Sequence, residues 1–198
     1  MPKQFSSACE RNKGPICALL QQILKNSAHV LEIGSGTGQH AVYFGAAMPH
    51  LTWHSSDLPQ NHSSILAWQQ EAHLPNVVAP LPLSVSEPNW PVGPFDAVFS
   101  ANTCHIMAWN EVEAMFAGIG RLLPSGGLLC IYGPFNLEEG RFSSPSNAQF
   151  DAILRAQDAH MGIRDFAAVD ALAAAQGLEL QANYPMPAHN QLLVWRRT

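Results

Sequence analysis

The sequence predicts an α/β fold: a mostly parallel sheet with helices on both faces, ending in an antiparallel hairpin. Three observations predict it. Short apolar runs alternate with helical patterns five times along the chain. The run Leu128 to Tyr132 is apolar without interruption, as in strands covered on both faces. A short Pro-containing turn separates the last two apolar segments, so they pair antiparallel. Right-handed crossovers between parallel strands are the compact way to bury such an alternation. The 198 residues suit one domain, and no repeat, low-complexity run or linker divides them.

The elements follow in order. Pro15 suits a first helical turn, and Ile16, Leu19, Leu20, Ile23 and Leu24 share a stripe, which predicts a helix from Pro15 to Asn26. A strand from His29 to Ile33 runs into Gly34-Ser35-Gly36-Thr37-Gly38, and a helix from Gln39 to Ala47 stops before Pro49. Next come a strand from Leu51 to Ser55, a helix from Asn61 to Glu71 and a strand from Val77 to Leu83. A strand from Phe95 to Ser100 and a helix from Asn110 to Leu122 lead to Leu128 to Tyr132. Turn formers fill Gly133 to Ser146, and helices are expected over Asn147 to Gln157 and Asp165 to Gln176. Strands from Leu178 to Ala182 and Leu192 to Trp195 form the hairpin.

Charge narrows the function. The formal net charge is -5, with 13% of residues charged and 47% hydrophobic. From Lys25 to Arg121 there is no Lys or Arg, while Glu32, Asp57, Glu71, Glu87, Asp96, Glu111 and Glu113 fall between them, with seven of the nine His. A nucleic-acid groove needs several cations against phosphates, so no nucleic acid is expected as partner. The nine His are expected to raise the charge between pH 7 and pH 6. Cys9, Cys17, Cys104 and Cys130 form no C-x-x-C pair, and the start Met-Pro-Lys-Gln-Phe has no apolar run behind it. A cytoplasmic protein with reduced thiols and no membrane span is expected. No His pair has metal-ligand spacing, since His50 and His54 straddle a strand that puts them about 13 Å apart; no metal is expected. A hydrolase elbow, Gly-x-Ser-x-Gly, is absent.

The glycine loop sits between the first strand and its helix, where glycine lets the backbone turn sharply beside a ligand. The position five after Gly34 is Gln39, which breaks the dinucleotide spacing, and the Gly-Lys-Ser/Thr of a phosphate loop is missing. Glu32, one residue before the strand end, repels a pyrophosphate but accepts hydrogen bonds from an ammonium. Asp57, at the end of the second strand, suits ribose hydroxyls. An adenosine bearing a sulfonium and an amino-acid tail satisfies both carboxylates.

Val30-Leu31-Glu32-Ile33-Gly34-Ser35-Gly36-Thr37-Gly38 resembles motif I of the class I S-adenosylmethionine-dependent methyltransferases. More narrowly, nearly the whole chain resembles an uncharacterised family of small methyltransferase-like proteins of bacteria and eukaryotes. That match includes Glu10-Arg11-Asn12-Lys13, Phe99 to Ile106, Tyr132-Gly133-Pro134-Phe135-Asn136, Ser144-Pro145-Ser146-Asn147 and Gly162-Ile163-Arg164-Asp165. The resemblance implies a Rossmann-like class I methyltransferase fold with a seven-stranded sheet. It implies S-adenosyl-L-methionine as cofactor and S-adenosyl-L-homocysteine as product.

By the same resemblance, Gly34, Ser35, Gly36 and Gly38 carry backbone contacts to the cofactor, Asp57 its ribose and Leu58 its adenine. Ser84 stands where the family commonly has Asp facing the adenine amino group, and accepts a hydrogen bond with less reach. Ser100 and Asn102 line the methionyl side, and Arg11 meets the carboxylate if residues 1–14 fold over the pocket. His105 is the candidate base and Tyr132 a candidate donor; a supporting role for His105 stays open. Asn12, Phe135, Asn136 and Asn147 are candidate substrate residues, with 133–146 as a lid or substrate loop. The reaction implied is in-line methyl displacement to a small-molecule acceptor. A binding-only protein and a protein side-chain methyltransferase stay open.

Overall fold

In a computed structural model of the chain, residues 3–137 and 139–198 are described. Residues 1, 2 and 138, which belong to the expected N-terminal cover and the expected lid loop, lie outside the described residues. The chain divides after Ser100 into two compact units.

The first unit begins with helix α1, Ser7–Ile23. Its start differs from the expectation: Ser6, not Pro15, marks the N-terminus, and the Ser6 side chain accepts the Cys9 N–H at 3.2 Å. Glu10 sits in the first turn, favourable to the helix dipole. Pro15 lies inside the helix, where burial of Ile16, Cys17 and Leu20 offsets the lost N–H bond. Strand β1, His29–Ile33, and helix α2, Gln39–Ala47, start and stop where the hydrophobic pattern predicts. Then come β2 (Thr52–Asp57), α3 (His62–Ala72), β3 (Val77–Pro82) and β4 (Ala97–Ala101). β1 pairs parallel with β2 and β4, and β2 with β3. The register sets Ile33 against Ser56, so β2 reaches one residue further, to Asp57, beside the glycine loop. Phe44, Trp53 and Phe99 hold this core together, with ring centroids 5.4 to 5.9 Å apart in tilted and edge-on geometry.

The second unit holds α4 (Trp109–Leu122), β5 (Leu128–Gly133), β6 (Phe135–Asn136), α5 (Pro145–Gln157), β7 (Arg164–Asp165), α6 (Phe166–Ala175), β8 (Leu178–Met186) and β9 (Asn190–Arg197). β6 and β7 pair in parallel and were not expected, because two-residue strands carry no periodicity. β9 runs antiparallel to both β5 and β8, and the hairpin is longer than predicted at both strands. Trp195 is fully buried, edge-on to Phe116, and its indole N–H donates to Asp170 at 2.8 Å.

Among the described residues, seven strands form one sheet in the order β3-β2-β1-β4-β5-β9-β8. This is the mostly parallel, hairpin-closed sheet that the sequence implies. No described helix is long and apolar enough to cross a membrane.

Gly38 shows what the tight packing demands. Its φ is +93°, and a Cβ there would lie 2.8 Å from the Ile65 backbone. Gly126 has φ +83° but open space around it. Gly38→Ala should therefore lower stability by roughly 3 kcal/mol, against about 1 kcal/mol for Gly126→Ala, in urea denaturation. Equal losses would show that backbone strain alone, without the steric contact, governs the site.

Candidate cofactor site

The glycine loop is fixed by its own backbone donors. Gly34 and Ser35 N–H both donate to the Ser56 carbonyl at 3.0 Å, and Gly38 N–H to the Ser35 carbonyl at 3.0 Å. Gly36 N–H donates to Asp57 Oδ2 at 2.7 Å. Gly34, Gly36 and Gly38 all have positive φ, so a side chain at any of them is strained. A Cβ on Gly36 would meet nothing within 4 Å: the backbone borders open space here.

Asp57 terminates β2 with three donors on its carboxylate: Gly36 N–H, Leu58 N–H at 2.7 Å and Asn61 Nδ2 at 2.7 Å. A carboxylate has about four lone-pair positions, so one remains for a ligand hydroxyl. Leu58 beside it is half-exposed. Ser84 follows β3, half-buried, its carbonyl accepting the Glu87 N–H in a turn.

Glu32 is only 2% exposed. Its Oε2 accepts Ser35 Oγ at 2.8 Å and Trp53 Nε1 at 3.0 Å, and its carbonyl accepts Ser56 Oγ at 2.6 Å. Burial pushes its pKa up to about 7, although the two donors and the nearby Asp57 charge act on it as well. The carboxyl is thus poised between neutral and ionised.

Residues 3–13 lie along this region. Gln4 N–H donates to Ser64 Oγ at 3.0 Å and Trp68 Nε1 to the Gln4 carbonyl at 2.8 Å. Ser6 N–H donates to Gln39 Oε1 at 2.5 Å, and His40 Nε2 pairs with Asn12 Oδ1 at 2.7 Å. Asn12 thus braces α1 against α2, while Arg11 is exposed. His40 stacks on Phe44, and burial, aided by the Lys13 charge, lowers its pKa to about 4.

Gln39 was not singled out from sequence, where it counted only as a missing glycine. It is 3% exposed. Because its Oε1 accepts from Ser6 N–H and Thr37 Oγ1, the amide orientation is fixed and Nε2 is left with no partner. A buried donor without an acceptor is costly, and suits a ligand oxyanion. Its signal was positional only: the first residue of the helix after the glycine loop.

Ser100, at the end of β4, is fully buried, with Oγ donating to the Ile33 carbonyl at 2.8 Å. In the second unit, Asn102 adopts φ +60°, uncommon for a non-glycine residue, and donates its N–H to the Tyr132 carbonyl at 2.8 Å. His105 is 5% exposed and edge-on to Phe150, and its carbonyl accepts the Gly162 N–H at 2.9 Å. Burial, then the Arg164 charge, lowers its pKa to about 4. Tyr132 and Phe135 are buried. Asn136 Nδ2 donates to the Ile163 carbonyl at 3.3 Å while its Oδ1 has no partner. Asn147 sits in the first turn of α5; its Nδ2 donates to Ser143 Oγ and the His189 carbonyl, tying the helix down.

The fold is the class I methyltransferase architecture. A family described as Protein of unknown function (DUF938) matches residues 3–197, and the chain belongs to it. Among solved structures, an O-methyltransferase family protein from Burkholderia thailandensis superposes with a TM-score of 0.84 at 18% identity, covering 96% of this chain and 57% of that one. The mitomycin 7-O-methyltransferase MmcR gives 0.84 at 20% identity, covering 97% and 55%. PigF with SAH gives 0.76 at 18%, covering 95% and 56%. The chain therefore spans little more than half the length of the structures it resembles.

The two low histidine pKa values have a testable sign. Unfolded, each imidazole titrates near 6.5; folded, His40 and His105 titrate near 4. Below 6.5 the unfolded state binds more protons, so stability falls as pH drops from 6.5 toward 4. Glu32 runs oppositely, losing stability as pH rises from 4.5 to 7. Denaturation curves should show a shallower acid limb for His105→Gln. At pH 8, Glu32→Gln should be more stable than the parent, by an amount of order 3 kcal/mol. A Glu32→Gln variant less stable than the parent at that pH would refute the buried-acid account.

Proposed function

We propose that the chain is an S-adenosyl-L-methionine-dependent methyltransferase acting on a small organic acceptor. The observation that carries this reading is the open face of Gly36 beside an anchored Asp57, with Glu32 and the unpaired Gln39 Nε2 around the same loop. These groups suit the parts of that cofactor: one lone pair of Asp57 for a ribose hydroxyl, Glu32 for the ammonium, and Gln39 Nε2, with Arg11, for the carboxylate. Gly34, Ser35 and Gly38 shape the loop, Leu58 and Ser84 meet the base, and Ser100 and Asn102 belong to the methionyl side. No Lys or Arg from 26 to 120 supplies a counter-charge for phosphates, which argues against ATP and NAD.

When bound, the cofactor supplies an activated methyl group; the chain's work is to position it and exclude water. His105 and Tyr132 are the side chains we assign to the acceptor. A histidine with a pKa near 4 is neutral at pH 7 but a weak base. It serves acceptors that are already acidic or deprotonated, and the reaction rate should follow the acceptor's own ionisation. Asn12, Phe135, Asn136 and Asn147 complete the assignment as substrate-side residues, Asn12 and Asn147 by bracing. We read the chain as one methyltransferase domain, with residues 1–14 as cover and 133–146 as a substrate loop. The solved mitomycin methyltransferase supports a small-molecule acceptor, and PigF with SAH supports the cofactor. The buried, unpaired thiols of Cys17, Cys104 and Cys130 support a reducing, cytoplasmic setting.

Calorimetric titration with S-adenosyl-L-homocysteine tests the reading. Binding is expected, with Asp57→Ala weaker by about 100-fold. The ammonium should drive Glu32 fully ionised, releasing about half a proton at pH 7, read from enthalpies in buffers of different ionisation heat. Gln39→Leu should weaken the product more than the decarboxylated analogue. Tight NAD or ATP binding with no response to the homocysteine nucleoside would sink the assignment. Binding without methyl transfer to any acceptor would leave the binding-only protein.

A further inference from the structure

The second unit contains a cavity of about 320 Å³, and of its lining only Asn136 and the loop residues Gly140 and Phe142 have been given a role above. It is bordered by Trp109 at the start of α4, Asn136 of β6, Phe142, Arg155 of α5, and Arg164 and Asp165 of β7. The polar groups there are unevenly satisfied. Asn136 is 4% exposed, and its Nδ2 is held by the Ile163 carbonyl, which leaves Oδ1 as a buried acceptor with no donor. Native structures rarely leave such an atom unpaired unless something else reaches it.

Arg164 presents the opposite need. Its Nε donates to the Cys104 carbonyl at 3.0 Å, and its Nη2 to the carbonyls of Met107 and of His160. Carbonyls satisfy hydrogen bonds but do not neutralise the charge. Among the described residues, no carboxylate lies in ion-pair distance of this guanidinium, and Nη1 has no hydrogen-bond partner. The guanidinium stands 5.8 Å from the centre of the Trp109 ring. Arg155 uses only Nε internally, on Asp151 Oδ2 at 2.7 Å, while the other Asp151 oxygen accepts the Ile163 N–H at 2.7 Å. Its terminal amino groups remain for a ligand. On the acceptor side, among the described residues Asp165 receives only the Gly140 N–H, shared between its two oxygens at 3.2 and 3.1 Å.

A simple anion would meet both arginines and also the Asp165 carboxylate. A simple cation would meet the reverse conflict. A ligand carrying both charges conflicts with neither, and the aromatic walls of Trp109 and Phe142 call for an apolar body. We propose that this cavity binds a free α-amino acid with a large apolar or aromatic side chain. Its carboxylate lies on Arg164 and Arg155, and its ammonium on Asp165 and Asn136 Oδ1. The site is confined to the second unit and shares with the methyl-transfer reading only Asn136 and the loop residues Gly140 and Phe142; its charge pairing does not depend on that reading.

The test is calorimetric titration of the full chain with L-phenylalanine and L-leucine. The comparison ligands are N-acetyl-L-phenylalanine, L-phenylalaninamide and benzoate. The free amino acids are expected to bind at millimolar concentration or better, and each capped form at least about 10-fold more weakly, since each removes one charge pair. Asn136→Leu and Arg155→Gln should each weaken L-phenylalanine by about 10-fold while thermal unfolding of the apo-protein stays near that of the parent. Arg155 is a surface residue, so its variant keeps the test alive if Asn136→Leu fails to fold. The proposal is overturned if neither amino acid binds at 10 mM. It is equally overturned if benzoate or the capped forms match L-phenylalanine, or if a folded Arg155→Gln variant binds unchanged. Titration with S-adenosyl-L-homocysteine on the same sample reports on the other unit, so failure of one reading is distinguishable from failure of the other.

Discussion

The hydrogen bond from Gly36 N–H to Asp57 Oδ2 closes a loop that has three positive-φ glycines within five residues. Such a backbone cannot pair its donors as a helix or strand does: Gly38 N–H finds the Ser35 carbonyl inside the loop, but the N–H groups of Gly34, Ser35 and Gly36 need external acceptors. The Ser56 carbonyl takes two of them and Asp57 takes the third. All three bonds require β2 to end beside the loop in one register. A one-residue slip would exchange Ser56 and Asp57 and turn every β2 side chain to the opposite face. Trp53, fully buried against Phe44 and Phe99, forbids that slip. The aromatic core therefore fixes the geometry of the loop, and the loop places the carboxylates.

Glu32 makes that link explicit. Its carboxyl is bonded to the core through Trp53 Nε1 and to the loop through Ser35 Oγ. A buried acid raised to about 7 costs stability at every pH above that value. A neutral amide of the same shape would keep both hydrogen bonds as an acceptor and avoid the desolvation of a charge. Retaining a carboxyl where stability favours an amide is a local violation of the kind that marks a ligand site. Under the proposed function the partner that recovers the cost is the ligand's ammonium, since Lys13 and Arg11 sit on α1 without an ion pair to Glu32 among the described residues.

Strongly periodic or fully apolar elements were legible in sequence to the residue. β1 and α2 are examples, because glycine and proline punctuate their ends. The start of α1 was missed because Pro15 looked like a first-turn residue. The real signal was Ser6 with Glu10 behind it, and tertiary burial tolerates the internal proline. The hairpin read short because Pro185 and Pro187 made the residues after Ala182 look like a turn, whereas β8 runs on to Met186. β6 and β7 are long-range pairings of two residues each and have no local signature. At the glycine loop the two carboxylates singled out in sequence, Glu32 and Asp57, both bond to loop residues. Gln39 was not singled out, because an amide acquires meaning only when the structure satisfies one end of it and leaves the other bare.

The same burial logic revises the charge expected near neutral pH. Nine histidines suggested a protein that gains positive charge between pH 7 and pH 6. His40 and His105 are held neutral down to about 4 by burial, and His54 is lowered by burial and by neighbouring His29. His40 and His105 do not add the expected charge, so the stretch without Lys or Arg gains less positive charge toward pH 6 than its histidine count suggests. Net negative charge around a loop that bears two carboxylates, with Arg11 and Lys13 of α1 as the nearby cations, favours cationic ligands over polyanions. Under the proposed function, selectivity for a sulfonium nucleoside over nucleotides would come from two sources. One is the long cation-free stretch around the glycine loop; the other is a fold that keeps its histidines from supplying the missing charge.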